Sequence, residues 1–271
     1  MIEHDVEVVV FVALMAEARA LIGHWRLGLI AGSSPFAIYQ NGRKALVVTG
    51  MGKANMAAAL GYSLSVLPNQ NPILLNLGIA GHPQHSLGSW WLAHKITDAE
   101  TGKSWYPPMS LMAQMPSSAL MSFSRPHDTY QFDTLYDMEA SAFYEIACKF
   151  SSLELIQSIK LVSDNRQQSI ASITPQQVTD WISDKIPEIE YVLSALQRAK
   201  DSIPPIAQEP YQTLIKQWHF SVSNAVRLRQ LLQTWRLMTG EDFNWQACEA
   251  KSAKHLLKCL EQALDAMEFR L

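Results

Sequence analysis

Residues 73–81 read Ile-Leu-Leu-Asn-Leu-Gly-Ile-Ala-Gly: a short aliphatic run that ends in a glycine-flanked segment. Five apolar-rich residues bounded by turn residues predict a buried strand over Ile73–Leu77. The same grammar extends in both directions. Upstream, Gly50-Met51-Gly52 opens a helical pattern from Lys53 to about Val66. Phe36–Gln40 and Lys44–Thr49 predict an antiparallel pair around Asn41-Gly42. Val8–Ala13 predicts a buried strand that feeds a helix over Ala16–Ile22. Downstream, Trp90–Ile96 and Ala119–Phe123 predict strands, Met138–Phe150 a helix and Ile156–Val162 another strand. Thr174-Pro175 starts a long helix, with proline in the first turn, where a missing N–H costs little. Alternation of this kind predicts an α/β fold: a three-layer sandwich around a central mixed sheet.

The pattern changes after Lys200. Ile203-Pro204-Pro205-Ile206 reads as a linker, and no strand-like run follows. Val222, Ala225, Leu228, Leu231, Leu232, Trp235 and Met238 recur at helical spacing, as do Ala253, Leu256, Leu257, Leu260, Leu264 and Met267. The expected organisation is an α/β domain over 1–200 and a helical C-terminal extension over 201–271. Two helices alone cannot bury both apolar stripes, so an outside surface is expected to cover them.

Composition narrows the function classes. The 271 residues are 48% hydrophobic, enough for one large core, and carry a net charge of −3 without a run of like charge. That balance predicts no nucleic-acid partner and no membrane partner. Three scattered cysteines fit a reducing cytosol, and the N-terminus lacks a basic region with a cleavage site. No apolar run approaches the ~18–20 residues of a membrane span. A cytoplasmic protein is expected. Cys248, His255 and Cys259 fall at i, i+7 and i+11, which one helix cannot turn into a closed metal site, so neither a metal nor another cofactor is expected. Trp218, Phe220 and Trp235 read as core, and Cys148 as a small buried apolar residue.

Four segments stand where strands give way to loops or helices, the places where open α/β sheets bind ligands. They are Ala13-Leu14-Met15-Ala16-Glu17, Gly50-Met51-Gly52-Lys53, Asn76-Leu77-Gly78-Ile79-Ala80-Gly81, and the pair Asp137-Met138-Glu139-Ala140 with Ser163-Asp164-Asn165. Each has a plain structural explanation. Glu17 suits the macrodipole of a first helical turn, Gly50 and Gly52 suit a tight turn, Asp164 suits a cap, and Met138 suits a core.

In their joint order these segments resemble the nucleoside phosphorylase/nucleosidase superfamily, specifically the methylthioadenosine/S-adenosylhomocysteine nucleosidase branch. The resemblance runs from about Val8 to about Arg198, and the M-E-A at 138–140 followed by S-D at 163–164 is its most specific part. It implies hydrolysis of the N-glycosidic bond of a small-molecule nucleoside, a 5′-modified adenine nucleoside in particular. A homo-oligomer such as a dimer is expected on the separate ground that soluble enzymes commonly assemble that way. Carried over by residue, it implies that Asp164 is the acid to the departing base and that Ser163 orients it. Glu17 then activates water, Glu139 holds the ribose hydroxyls, Met138 packs against the sugar, and Gly78, Ile79 and Gly81 line the sugar side.

A phosphorylase needs cations near its glycine loops. Here the loop carries only Lys53, and Arg19 follows Glu17 by two residues and so points to another face. Water is therefore favoured over phosphate, with purine nucleoside phosphorylase as the alternative. The chain also departs from the family. Ile79 stands where those nucleosidases usually carry serine, and the stretch from Ser110 to Asp137, where they keep a base-stacking aromatic, is shorter. Phe123 or His127 could fill that role, and His82 and His85 lie nearby in sequence. Residues 101–107 read as a hairpin tip of the kind found in futalosine- and adenosylhopane-cleaving relatives. The departures keep open a reading from another class, a non-catalytic nucleoside-binding or scaffold protein.

Overall fold

The computed structural model describes residues 5–30, 34–69, 71–127, 129–203 and 208–268. The chain divides after Lys200 into two compact units. In the first, β1 (Val8–Val12), α1 (Met15–Trp25), β2 (Gly28–Leu29), β3 (Ala37–Asn41), β4 (Lys44–Val48), α2 (Lys53–Val66) and β5 (Ile73–Gly81) follow in order. Then come β6 (Trp90–Asp98), β7 (Ser104–Trp105), β8 (Ser117–Ser122), β9 (Leu135–Asp137), α3 (Ala140–Ala147) and β10 (Ile156–Asp164). The helices α4 (Pro175–Asp184) and α5 (Ile186–Ser202) complete the series.

The strands form one mixed sheet in the order β10-β6-β8-β9-β5-β1-β4-β3-β2. Strand β1 runs parallel to β4 and β5, while β3 and β4 form the expected hairpin through Asn41↔Lys44. Strand β5 has a third partner, because β10 also pairs along it in parallel. The chain β5–β10–β6–β8–β9 therefore returns to β5, where Gly81 meets Tyr136. This closure has a direct consequence for the site. One row of the sheet holds Asp164, Gly81 and Tyr136 side by side. Helices α2 and α3 pack on each other over the sheet face that carries Val9, Phe11, Ala45 and Val47. Helix α1 packs on α4.

Several boundaries differ from the sequence reading, each for a physical reason. Strand β5 does not stop at Leu77, because its ladder with β10 carries Gly78–Gly81 onward as strand. For the same reason Ser163 and Asp164 belong to the end of β10 rather than to a following loop. Helix α3 starts at Ala140, so Met138 and Glu139 stand before it. The long helix after Thr174 is two helices broken at Lys185, and Thr174 and Gln177 cap the first reciprocally. The 101–107 hairpin is present, with Gly102 at φ 73° between β6 and β7.

The second unit contains α6 (Gln208–Gln217), α7 (Val222–Thr239) and α8 (Ala253–Glu268). Helix α6 is absent from the sequence reading because it is polar and carries Pro210 in its first turn. It corrects the two-helix expectation. Tyr211 and Leu214 of α6 join Leu228, Leu232, Phe243, Leu256, Leu257 and Leu260 in a core internal to the unit. Trp218, Phe220 and Trp235 pack against that core. Cys248 ends a short 3-10 turn, Trp245–Cys248, and so does not share α8 with His255 and Cys259. Most of the 203–206 linker lies outside the described residues. No described helix is long and apolar enough to cross a membrane.

Gly88, between β5 and β6, has φ 73° and donates its N–H to the Val162 carbonyl at 2.8 Å. A Cβ there would lie 2.9 Å from the Trp181 ring. Gly88→Ala should therefore lose about 1–3 kcal/mol from backbone strain, plus the displacement of Trp181. Urea unfolding checks this, and an unchanged midpoint would contradict the packing described.

Candidate active site

Glu17 lies at the third position of α1, with its carboxylate turned back over the helix start. Its Oε2 accepts the Ala13 and Leu14 N–H groups, each at 2.8 Å, and its Oε1 accepts the Ile79 N–H at 2.9 Å. The carboxylate thus caps its own helix and ties it to β5. Gly78 permits this, because a Cβ there would sit 3.0 Å from Oε1. Burial pushes the Glu17 carboxyl above its ordinary range, against those amides and the charge of Lys160.

Lys160 was not singled out from the sequence. It projects from β10, is 1% exposed, and stands opposite Gly78 in the register. Its Nζ is 2.8 Å from Asp137 Oδ2. Burial alone would lower the ammonium, but Asp137, Glu139 and Glu17 more than offset it and hold it above its ordinary value. The signal in the sequence was a lysine inside an otherwise buried strand pattern. Asp137 also accepts the Ser122 hydroxyl at 2.5 Å and the Ala140 N–H at 2.9 Å, which fixes the start of α3.

Glu139 is held from the opposite side. Its Oε1 accepts the Gly52 N–H at 2.7 Å, at the N-cap of α2. Burial, then the Asp137 carboxylate, raise its pKa to about 7 against the pull of Lys160 and Gly52. Lys53, the cation of the glycine loop, is committed elsewhere. It pairs with Asp98 at 2.5 Å and with Glu100. Asp98 also accepts the Ser141 hydroxyl and the Thr101 N–H, each at 2.9 Å, so the lysine is locked to the β6–β7 hairpin.

At the end of β10, the Ser163 hydroxyl donates to Asp164 Oδ1 at 2.5 Å, and the Tyr130 hydroxyl donates to Oδ2. A cavity of about 220 Å³ brings these elements together. Its wall includes Glu17, Ile79, Gly81, Met138, Glu139, Ser163 and Asp164, and also Asp137. Phe123, His127 and Tyr136 line it with nearly parallel rings, Phe123 and His127 stacking at 4.5 Å. Met51 and Ile170 are its most exposed apolar lining. Gly78 does not line it, which corrects the expected position: it lies against Glu17 and Lys160 instead. His82 and His85 do not line it either. Burial, then His85, lower the His82 pKa to about 4, and its Nδ1 accepts the Gln84 and His85 N–H groups. Its ring stacks on His85, which in turn stacks on Trp91. Arg19 is exposed and lies outside the cavity.

Two stability measurements test this electrostatic description. Lys160→Met leaves buried carboxylates without their cation and should cost about 3–5 kcal/mol in chemical unfolding, with partial recovery on adding Asp137→Asn. A loss below ~1 kcal/mol would contradict a buried pair. For Glu139, the folded pKa of about 7 lies above the ordinary 4.5. Its contribution to stability is therefore fully present below about 4.5 and lost as pH rises through about 7. Glu139→Gln should flatten that part of the stability–pH curve, and identical slopes in both proteins would refute the shift.

No protein-family model and no curated protein sequence matches this chain, whereas many solved structures resemble its fold. The 5′-methylthioadenosine nucleosidase of Arabidopsis thaliana superposes with a TM-score of 0.59 at 16% identity, over 70% of this chain and 97% of that one. The 5′-methylthioadenosine/S-adenosylhomocysteine nucleosidase of Helicobacter pylori gives 0.57 at 10% identity, over 72% and 100%. The futalosine hydrolase of Helicobacter pylori gives 0.52 at 12%, over 68% and 99%. Over about 70% of its length this chain thus has the fold of these nucleosidases and of the futalosine hydrolase.

Proposed function

We propose that the protein hydrolyses the N-glycosidic bond of a nucleoside, with a 5′-modified adenine nucleoside as the substrate class. The observation that carries this reading is the charge of the cavity wall. Glu17, Glu139 and Asp164 converge on it, together with Asp137, and among the described residues no lysine or arginine lines it. A dianionic phosphate would face these carboxylates with no cation in the wall. The two features of the glycine loop that could bind an anion are already used: Glu139 takes the Gly52 N–H, and Asp98 and Glu100 take Lys53. Water is the nucleophile that fits.

In this mechanism Glu139 accepts hydrogen bonds from the ribose diol, and Met138 packs against the sugar. Glu17 positions and deprotonates water. Its Oε2 already accepts two N–H bonds and its Oε1 one, so the acceptor site left for water is on Oε1. Burial keeps that carboxylate basic enough for the task. Ile79 in place of serine removes a hydroxyl but keeps the N–H that aims Glu17. Asp164, oriented by Ser163, protonates the purine as the bond to C1′ breaks and the sugar becomes oxocarbenium-like. The Phe123–His127 pair offers a face for the base. The reading further takes α1 with α4 and α2 with α3 as the outer layers of a three-layer sandwich. It takes the protein as a homo-oligomer, and residues 1–200 as sufficient for the chemistry.

Product analysis tests the reaction. Incubation with 5′-methylthioadenosine and related nucleosides should release free base and free sugar at a rate independent of phosphate. A sugar 1-phosphate as main product would establish the phosphorylase instead. Folded Asp164→Asn and Glu139→Gln should each lose at least ~100-fold in turnover. Activity near that of the unchanged protein in Asp164→Asn would remove the assigned acid.

A further inference from the structure

Asp164 ends a strand, and its carboxylate meets two hydroxyls on its two oxygens. Ser163 is its neighbour in sequence, but Tyr130 comes from the segment between β8 and β9 and is 3% exposed. Three features set the tyrosine in place. Its ring meets Tyr136 edge-on, with centroids 5.2 Å apart at 89°. Its carbonyl accepts Arg166 Nη2 at 2.8 Å, from the residues just beyond β10. The Tyr136 hydroxyl in turn holds the same segment, accepting the Phe132 N–H at 2.7 Å and donating to the Phe132 carbonyl at 3.2 Å.

The sheet row explains why the hydroxyl can arrive. Asp164 and Tyr136 flank Gly81 in the register, and a Cβ on Gly81 would lie 2.5 Å from Tyr130 Oη and 2.8 Å from Asp164 Oδ2. Any side chain at 81 would separate the two groups. Gly81 is therefore required less for contact with a sugar than for the approach of Tyr130 to Asp164.

We propose that Tyr130 is a positioning residue for the acid, and that Gly81 is what admits it; the proposal rests on the reading of Asp164 as the proton donor. In the step, the electron pair of the C1′–N bond leaves with the base, and the proton on the Asp164 carboxyl passes to the base nitrogen. Water adds to C1′ and loses its proton to Glu17, and solvent restores both carboxyl groups. Negative charge grows on Asp164 as the proton leaves with the base. Hydroxyl donors on both of its oxygens strengthen at that moment, so Tyr130 stabilises the transition state more than the bound substrate. The effect belongs in kcat, not in KM.

The test separates substrates by whether their leaving group needs a proton. On the nucleoside identified by product analysis, Tyr130→Phe should lower kcat about 10–100-fold, the scale of one hydrogen bond to a charged group, with KM within about 3-fold. On p-nitrophenyl β-ribofuranoside, whose phenolate departs unprotonated, the same variant should keep its rate within about 3-fold. An N7-methylated purine nucleoside, with a cationic base, serves if the phenyl riboside is not turned over. Equal losses on both kinds of substrate would make Tyr130 a packing residue and overturn the proposal, and so would a rise in kcat, which would mean that the hydroxyl blocks the acid. Asp164→Asn is the reference. If it retains nucleoside turnover, the assignment of the acid itself fails; if it loses turnover and Tyr130→Phe does not, only the present proposal fails.

Discussion

The site depends on one buried cation. Lys160 Nζ sits under the cavity, 1% exposed, paired with Asp137 and close enough to Glu17 and Glu139 to act on both. Three carboxylates in so small a volume repel one another, and burial penalises each charge further. Without a cation of the same depth, the cheapest response is for the acids to protonate or the helices to move apart. Lys160 makes the cluster compatible with folding, and Gly78 opposite it in the register leaves room for the ammonium and for Glu17 together.

Around that cation the backbone supplies the rest. Glu17 takes three N–H groups, Glu139 takes the N–H of Gly52, and Asp137 takes the N–H of Ala140. Most of these amides lie at or beside a helix start, where a donor has no partner within the element, and that of Ile79 lies in β5 beyond the last residue paired with β1, Asn76. At Glu17, capping and the proposed chemistry therefore rest on the same contacts. The plain reading of a helix-start glutamate and the functional one do not compete, since the cap is what aims the carboxylate at the cavity.

The parts legible in the sequence were those with a local cause. Gly50-Met51-Gly52 announced α2, whose span of Lys53–Val66 follows from that start. The Asn41-Gly42 turn announced the β3–β4 hairpin. Glu17, Glu139 and Asp164 were visible as acids placed at element ends, and they do share one cavity. What was not legible depends on pairing between distant segments. The ladder between β5 and β10 carries Gly78–Gly81 as strand, although glycine locally signals a break. Three-residue β9 has no periodicity to detect, yet it closes the ring of strands. Lys160 had a signal, a charge within an apolar run. Tyr130 had none, because nothing local relates it to a residue 34 positions away.

In the proposed reaction the choice of nucleophile turns on the glycine loop. A glycine loop that starts a helix and carries a lysine is chemically suited to an anion, and sequence alone cannot say which one. The structure places protein carboxylates there: Glu139 on the Gly52 N–H, and Asp98 with Glu100 on Lys53. Burial alone would lower the Lys53 ammonium, but those two partners hold it above its ordinary value, so the pairing is strong for a group near the surface. An incoming phosphate would have to displace three internal carboxylates, Glu139, Asp98 and Glu100, and then sit beside Glu17. A water molecule needs none of this, only the acceptor site left on Glu17 Oε1. In the proposed reaction, preference for water over phosphate would follow from how the protein places its own negative charge, not from the absence of a glycine loop.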